Sequence, residues 1–213
     1  MLKQIGILGL LSCLFATSVY GANPQTGKAL VLYGNKNGAT ACIECHGANG
    51  TGNAVGVFPR LAGMNADYLA KQLHDYRDGK RSDPVMQPIA KALSDTEIGE
   101  VVAYFAAQRV NTPAVVDDKA LWTQGEHIAV SGFWERDVPA CMSCHGPGAR
   151  GVGPHFPKLA GQHASYISKQ LKAWRAGTRA NDPQGLMKGI AQRLPENEVA
   201  AVSAYLASLP PAK

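Results

Sequence analysis

Two five-residue frames constrain this chain more than anything else in it: Cys42-Ile43-Glu44-Cys45-His46 and Cys141-Met142-Ser143-Cys144-His145, 99 residues apart. Each reads Cys-x-x-Cys-His. Two thiols one helical turn apart can each add to one vinyl group of a haem, and the adjacent histidine is then held under the iron as its proximal ligand. The rival readings explain less. A four-cysteine zinc site leaves the histidine after each pair without a role. A thioredoxin-like motif expects βαβ flanks, which are missing here. A structural disulfide suits an exported chain, but within Cys-x-x-Cys it closes a very small loop. The frames predict two haem c groups attached through Cys42, Cys45, Cys141 and Cys144, with His46 and His145 on the irons.

The fifth cysteine, Cys13, lies in a different kind of segment. Met1-Leu2-Lys3-Gln4 is a short basic start, an apolar run follows from Ile5 to about Val19, and Gly21-Ala22 are small. This is the pattern of a secretory signal peptide over residues 1–22, and the run is shorter than the roughly 20 residues of a membrane-spanning helix. Leu10-Leu11-Ser12-Cys13 resembles a lipoprotein cleavage site, but apolar residues continue past Cys13. An exported chain is expected, with room for peripheral attachment to a membrane and no nucleic acid to meet.

The frames belong to a longer duplication. Leu61-Ala62-Gly63 returns as Leu159-Ala160-Gly161, Lys71-Gln72-Leu73 as Lys169-Gln170-Leu171, Asp83-Pro84 as Asp182-Pro183, and Ala103-Tyr104 as Ala204-Tyr205, with offsets of 98 to 101. Two domains of ordinary size follow, 23–110 and 119–213, joined by a proline-bearing linker at 111–118. Both read as all-α units, each wrapped around its haem. Tyr68, Leu69, Leu73 and Tyr76 recur at helical spacing within Asn65 to Asp78, before Gly79; Ile167, Leu171 and Trp174 do so within Ala164 to Ala176, before Gly177. The last helix of the first half opens on the capping box Ser94-Asp95-Thr96-Glu97, and that of the second on Pro195.

The duplication also tests which residue completes each iron. A ligand common to both halves must recur in register, and Met86 and Met187 do, each following an Asp-Pro pair and preceding an apolar segment. Met64 aligns with Gln162, and none of His74, His127, His155 and His163 recurs. Met86 and Met187 are the expected sixth ligands. Iron closed on both sides by protein has no open position for oxygen or substrate, so one-electron exchange is the expected chemistry, and the soft thioether raises the potential. Tyr68 with Tyr166 and Tyr76 with Trp174 read as core packing more than as polar contacts, with direct contact to the haem as an open alternative. Arg77 with Arg175 and Arg81 with Arg179 read as solvated faces suited to helix C-termini, with neutralisation of haem carboxylates as the lesser reading. The formal charge of +5 falls to +4 without Lys3, weak evidence for steering an acidic partner.

These residues together resemble the cytochrome c4 family. The resemblance is carried by the paired attachment frames, Phe58-Pro59-Arg60-Leu61-Ala62-Gly63 with Phe156-Pro157-Lys158-Leu159-Ala160-Gly161, the Tyr-x-x-x-Gln-Leu helices and Pro84-Val85-Met86. It covers essentially all of the chain beyond the signal. It implies two class I cytochrome c domains with their haem propionate edges close together. It further implies a monomeric periplasmic carrier, not an enzyme, that moves single electrons from a quinol-oxidising donor complex toward a terminal oxidase or small cytochromes. Pro59 and Pro157 would offer backbone carbonyls to the proximal histidines. The segment Pro183-Gln184-Gly185-Leu186 departs from the pattern by two extra residues. Two alternatives stay open: the cytochrome subunit of a flavocytochrome of the sulfide dehydrogenase type, and, more distantly, a dihaem peroxidase.

Overall fold

A glycine in the first helix of each half decides how that half is built. The computed structural model describes residues 24–110 and 113–211, so the expected signal peptide lies outside the described residues. Helix α1 (Pro24–Tyr33) packs on α5 (Asp95–Ala107), and α6 (Lys119–Val130) packs on α10 (Glu196–Ser208). A Cβ on Gly27 would lie 2.2 Å from the Glu100 carbonyl oxygen, and one on Gly125 would lie 2.2 Å from that of Ala201. Only glycine lets these backbones approach so closely.

Between the outer helices each half repeats one plan. Short α2 (Ile43–His46) carries the end of the first frame, α3 (Ala66–Arg77) packs on α4 (Met86–Lys91) and α5, and in the second half α7 (Cys141–His145), α8 (Ala164–Ala176) and α9 (Leu186–Gln192) take the same places. The capping box of α5 is formed: Ser94 Oγ accepts from Glu97 N–H, and the Glu97 carboxylate accepts from Ser94 N–H. Pro195 precedes α10 without a side-chain cap. Two apolar cores result, one around Ile98, Val101 and Phe105 and one around Ile128, Val199, Val202 and Leu206. They are largely helix-on-helix surfaces, as expected of all-α units.

The second half adds the two-stranded hairpin β1 (Gly132–Phe133) and β2 (Val138–Pro139), paired antiparallel, which no alternation in the sequence announces. The connecting segment 113–118 is irregular and is tied to the second half where Ala114 N–H donates to Ala207 O at 3.0 Å. Among the described residues no helix is long and apolar enough to cross a membrane.

Candidate functional site: a shared cavity with two thiol-histidine floors

The two halves enclose one continuous cavity of about 970 Å³, lined by residues of both. Cys42, Cys45, His46 and Met86 reach it from the first half, and Cys141, Cys144, His145 and Met187 from the second. Burial pushes the Cys42 and Cys141 thiols up to about 11, as expected where a thiol faces apolar surroundings and not a cation. No disulfide joins any of these four cysteines. Among the described residues no three His, Cys, Asp or Glu side chains converge on a metal-sized cage.

Each histidine is oriented by the chain that follows it. His46 Nδ1 lies 3.0 Å from the Pro59 carbonyl oxygen, and His145 Nδ1 lies 2.8 Å from that of Pro157. A carbonyl only accepts, so Nδ1 carries the hydrogen and Nε2 keeps its lone pair, the tautomer a metal requires. Burial lowers both imidazole pKa values, against the opposing pull of the carbonyls, and this keeps the rings neutral. Phe58 and Phe156 stand edge-on to them at 6.3 and 6.1 Å. The proline segments are brought in by Gly52 and Gly151, with φ of 72° and 85°, whose N–H groups donate to the carbonyls of His46 and His145. A Cβ on Gly52 would meet Phe58 O at 2.5 Å, and one on Gly151 would meet Lys158 N at 2.7 Å.

The other end of the cavity overturns part of the sequence reading. Arg81 and Arg179 were expected on solvated faces, yet each is 5% exposed, and their backbones pair as an antiparallel bridge across the two halves. Arg81 donates to Gln72 Oε1 of its own half at 2.9 Å and to Tyr166 Oη and Gln170 Oε1 of the other at 2.9 and 2.8 Å. Arg179 mirrors it, donating to Gln170 at 2.8 Å, Gln72 at 3.1 Å and Tyr68 Oη at 3.5 Å. The tyrosines are therefore polar partners as well as packing. Arg81 also lies over the Tyr76 ring at 4.6 Å and Arg179 over Trp174 at 4.0 Å. By contrast Arg77 pairs with exposed Asp95 and Arg175 with exposed Glu196, as a solvated face requires. The signal for the buried pair was present in the recurrence of Gln72 with Gln170 beside Tyr68 with Tyr166.

This donor set fits haem. Thiols and neutral imidazoles sit where the macrocycle would be attached, Met86 and Met187 line the same chamber, and its interdomain end concentrates cationic and hydroxyl groups suited to the haem carboxylates. Trp174 Nε1 is buried and finds no hydrogen-bond partner among the described residues, although its ring lines the cavity. An acidic group there would satisfy it.

Residues 31–108 and 135–210 each match the cytochrome c family. The chain is 47% identical to the thiosulfate dehydrogenase electron acceptor of Stutzerimonas stutzeri (strain A1501) over 190 residues, 88% of either chain. It is 41% identical to cytochrome c4 of Thiocapsa roseopersicina over 191 residues, 88% of this chain and 96% of that one. Among solved structures, reduced cytochrome c4 from Pseudomonas stutzeri superposes with a TM-score of 0.75 at 34% identity, covering 88% of this chain and 99% of that one. Thiosulfate dehydrogenase from Marichromatium purpuratum superposes with a TM-score of 0.83 at 41% identity over 88% of this chain, which spans only 40% of that longer polypeptide. The chain therefore belongs to the cytochrome c family in its two-domain c4 branch, an all-α electron carrier with two covalently attached haem c groups.

Proposed function

We propose that this chain accepts single electrons from a thiosulfate-oxidising dehydrogenase in the periplasm and passes them toward a terminal oxidase, with His46 and Met86 as the axial ligands of one iron and His145 and Met187 as those of the other. The observation that carries the reading is the single cavity of about 970 Å³ lined by both candidate ligand sets, so that two redox centres, one in each domain, would face a common chamber. Bound haem supplies one-electron exchange between ferrous and ferric states. The protein's part is to fix each imidazole through Pro59 or Pro157, while Met86 and Met187 would supply a thioether to each iron and Arg81 and Arg179 would hold the carboxylates. The thiosulfate partner is supported by the 47% identical relative that bears the name of such an acceptor.

Mixing the oxidised holoprotein with a thiosulfate dehydrogenase and thiosulfate tests this directly. Reduction of both haems is expected with the dehydrogenase present and none with thiosulfate alone. Reduction by thiosulfate without the dehydrogenase, or none with it, contradicts the proposal.

A second reading has one observation in its favour: the match to part of a longer thiosulfate dehydrogenase chain suits a stably docked enzyme subunit as well as a diffusing carrier. Co-elution of the holoprotein with the dehydrogenase through gel filtration supports the subunit, and separate elution with rapid reduction supports the carrier.

A further inference from the structure

The residues directly after the two histidine acceptors are both basic and both buried: Arg60 is 5% exposed and Lys158 is 8% exposed. They cross between the halves. The Arg60 guanidinium donates to the Gly161 carbonyl, while Gln162 grips the Arg60 backbone, accepting from its N–H at 2.8 Å and donating to its carbonyl at 2.9 Å. Lys158 reaches the other way, and its Nζ donates to Ala62 O at 3.4 Å. It rests on the turn that follows the His46 acceptor, where a Cβ on Gly63 would come within 3.1 Å of it.

Lys158 takes part in no ion pair among the described residues, and the charged groups that face it are Arg60 and Arg109, both cations. Burial first, and then these two guanidinium groups, hold its ammonium below the ordinary lysine range. With no anion paired to it among the described residues, the ammonium acts on any charge that changes nearby. A ferrous haem carries one positive charge less than a ferric one, and a cation in a poorly screened interface favours the less positive state.

We propose that Lys158 is an electrostatic tuning residue for both haems: its buried ammonium, one residue from the His145 acceptor and seated on the other half's turn, raises both reduction potentials together. This rests on the carrier reading above. Arg60, its counterpart, cannot lose its charge, so Lys158 is the informative site.

The test is an optical redox titration of the holoprotein carrying Lys158→Met or Lys158→Arg. Lys158→Met is expected to lower both potentials, each by about a threefold to tenfold change in the ferrous-to-ferric ratio at fixed ambient potential, tenfold being about 59 mV for a one-electron couple. Lys158→Arg should stay near the parent. Unchanged potentials in Lys158→Met, an equal drop in Lys158→Arg, or a shift confined to one haem overturns the proposal. Lys158→Gln is judged by the same criteria and carries the test should Lys158→Met fail to take up haem. The far-red band of methionine sulfur on ferric iron reports the ligand assignment independently, so its loss in the parent protein counts against Met86 or Met187, while Lys158 is judged by the shift alone.

Discussion

The same glutamate position serves the two halves by different chemistry. Glu97 and Glu198 both lie in the first turn of the last helix of their half, 101 residues apart. Glu97 closes a capping box with Ser94 and accepts from Asn35 Nδ2 at 2.9 Å, which ties α5 to the loop after α1. In the second half Pro195 replaces the serine, no box forms, and Glu198 instead accepts from Arg136 Nη2 through both oxygens at 2.9 and 3.0 Å, which ties α10 to the hairpin after α6. Arg136 is steadied by the Phe133 ring at 4.2 Å. The duplication has kept the bridge and exchanged its chemistry: a neutral amide and a cap in one half, an ion pair on an added hairpin in the other.

The methionine loops differ in the same way. Asp83 Oδ1 accepts from Val85 N–H and Met86 N–H, which winds the first loop directly onto α4. In the longer second loop the Asp182 carboxylate accepts from the Lys188 N–H, its backbone carbonyl accepts from the Gly185 N–H, and Gln184 and Gly185 both adopt positive φ, 58° and 68°. A non-glycine residue in that region is strained. Helices and methionine positions are shared, while the loops between them are built independently.

Three perturbations sharpen this contrast. The largest expected effect is that of Glu198→Ala, because its carboxylate is mostly buried and Arg136 would lose its partner. With Arg136 a little over one third exposed, solvent screens part of the loss, which should be about 1–2 kcal/mol. That corresponds to a fall of roughly 4–16 °C in the melting of the second half by calorimetry. Glu97→Ala removes a cap and one amide contact, about 1 kcal/mol, and should lower the melting of the first half alone. Equal effects in both halves from either variant would break the comparison.

The smallest effect is a pH dependence. Hydrogen bonding from the Ser94 backbone, aided by Asn35, holds the Glu97 carboxyl below its ordinary value of 4.5. A depressed folded-state pKa contributes stability that is present above 4.5 and is lost as pH falls through the lower folded value. Melting temperatures measured on the acid side of 4.5 should therefore converge between the parent and Glu97→Gln, having differed at neutral pH. A difference that is unchanged on acidification contradicts this account of the cap.

Much of this molecule was legible from local pattern and register. The α8 span follows from its apolar spacing and Gly177, and α5 from its capping box, because those signals act within a turn or two of chain. The choice of Met86 and Met187 came from recurrence, and the structure brings both to the cavity that holds His46 and His145. The burial of Arg81 and Arg179 was missed, although the recurrence of Gln72 with Gln170 and of Tyr68 with Tyr166 pointed to it. Each follows a helix end and a glycine, a setting that reads as solvent, and each is buried only because the other half folds against it. The hairpin after α6 was also missed, since two strands of two residues offer no alternation to detect.

The claim that organises all of this is that both irons are closed by methionine within one shared chamber. An optical redox titration of the holoprotein, followed at the far-red band of methionine sulfur on ferric iron, tests it most directly. The account predicts a band accounting for two haems and two positive potentials. A band accounting for one haem, or a centre that titrates far negative, would contradict it.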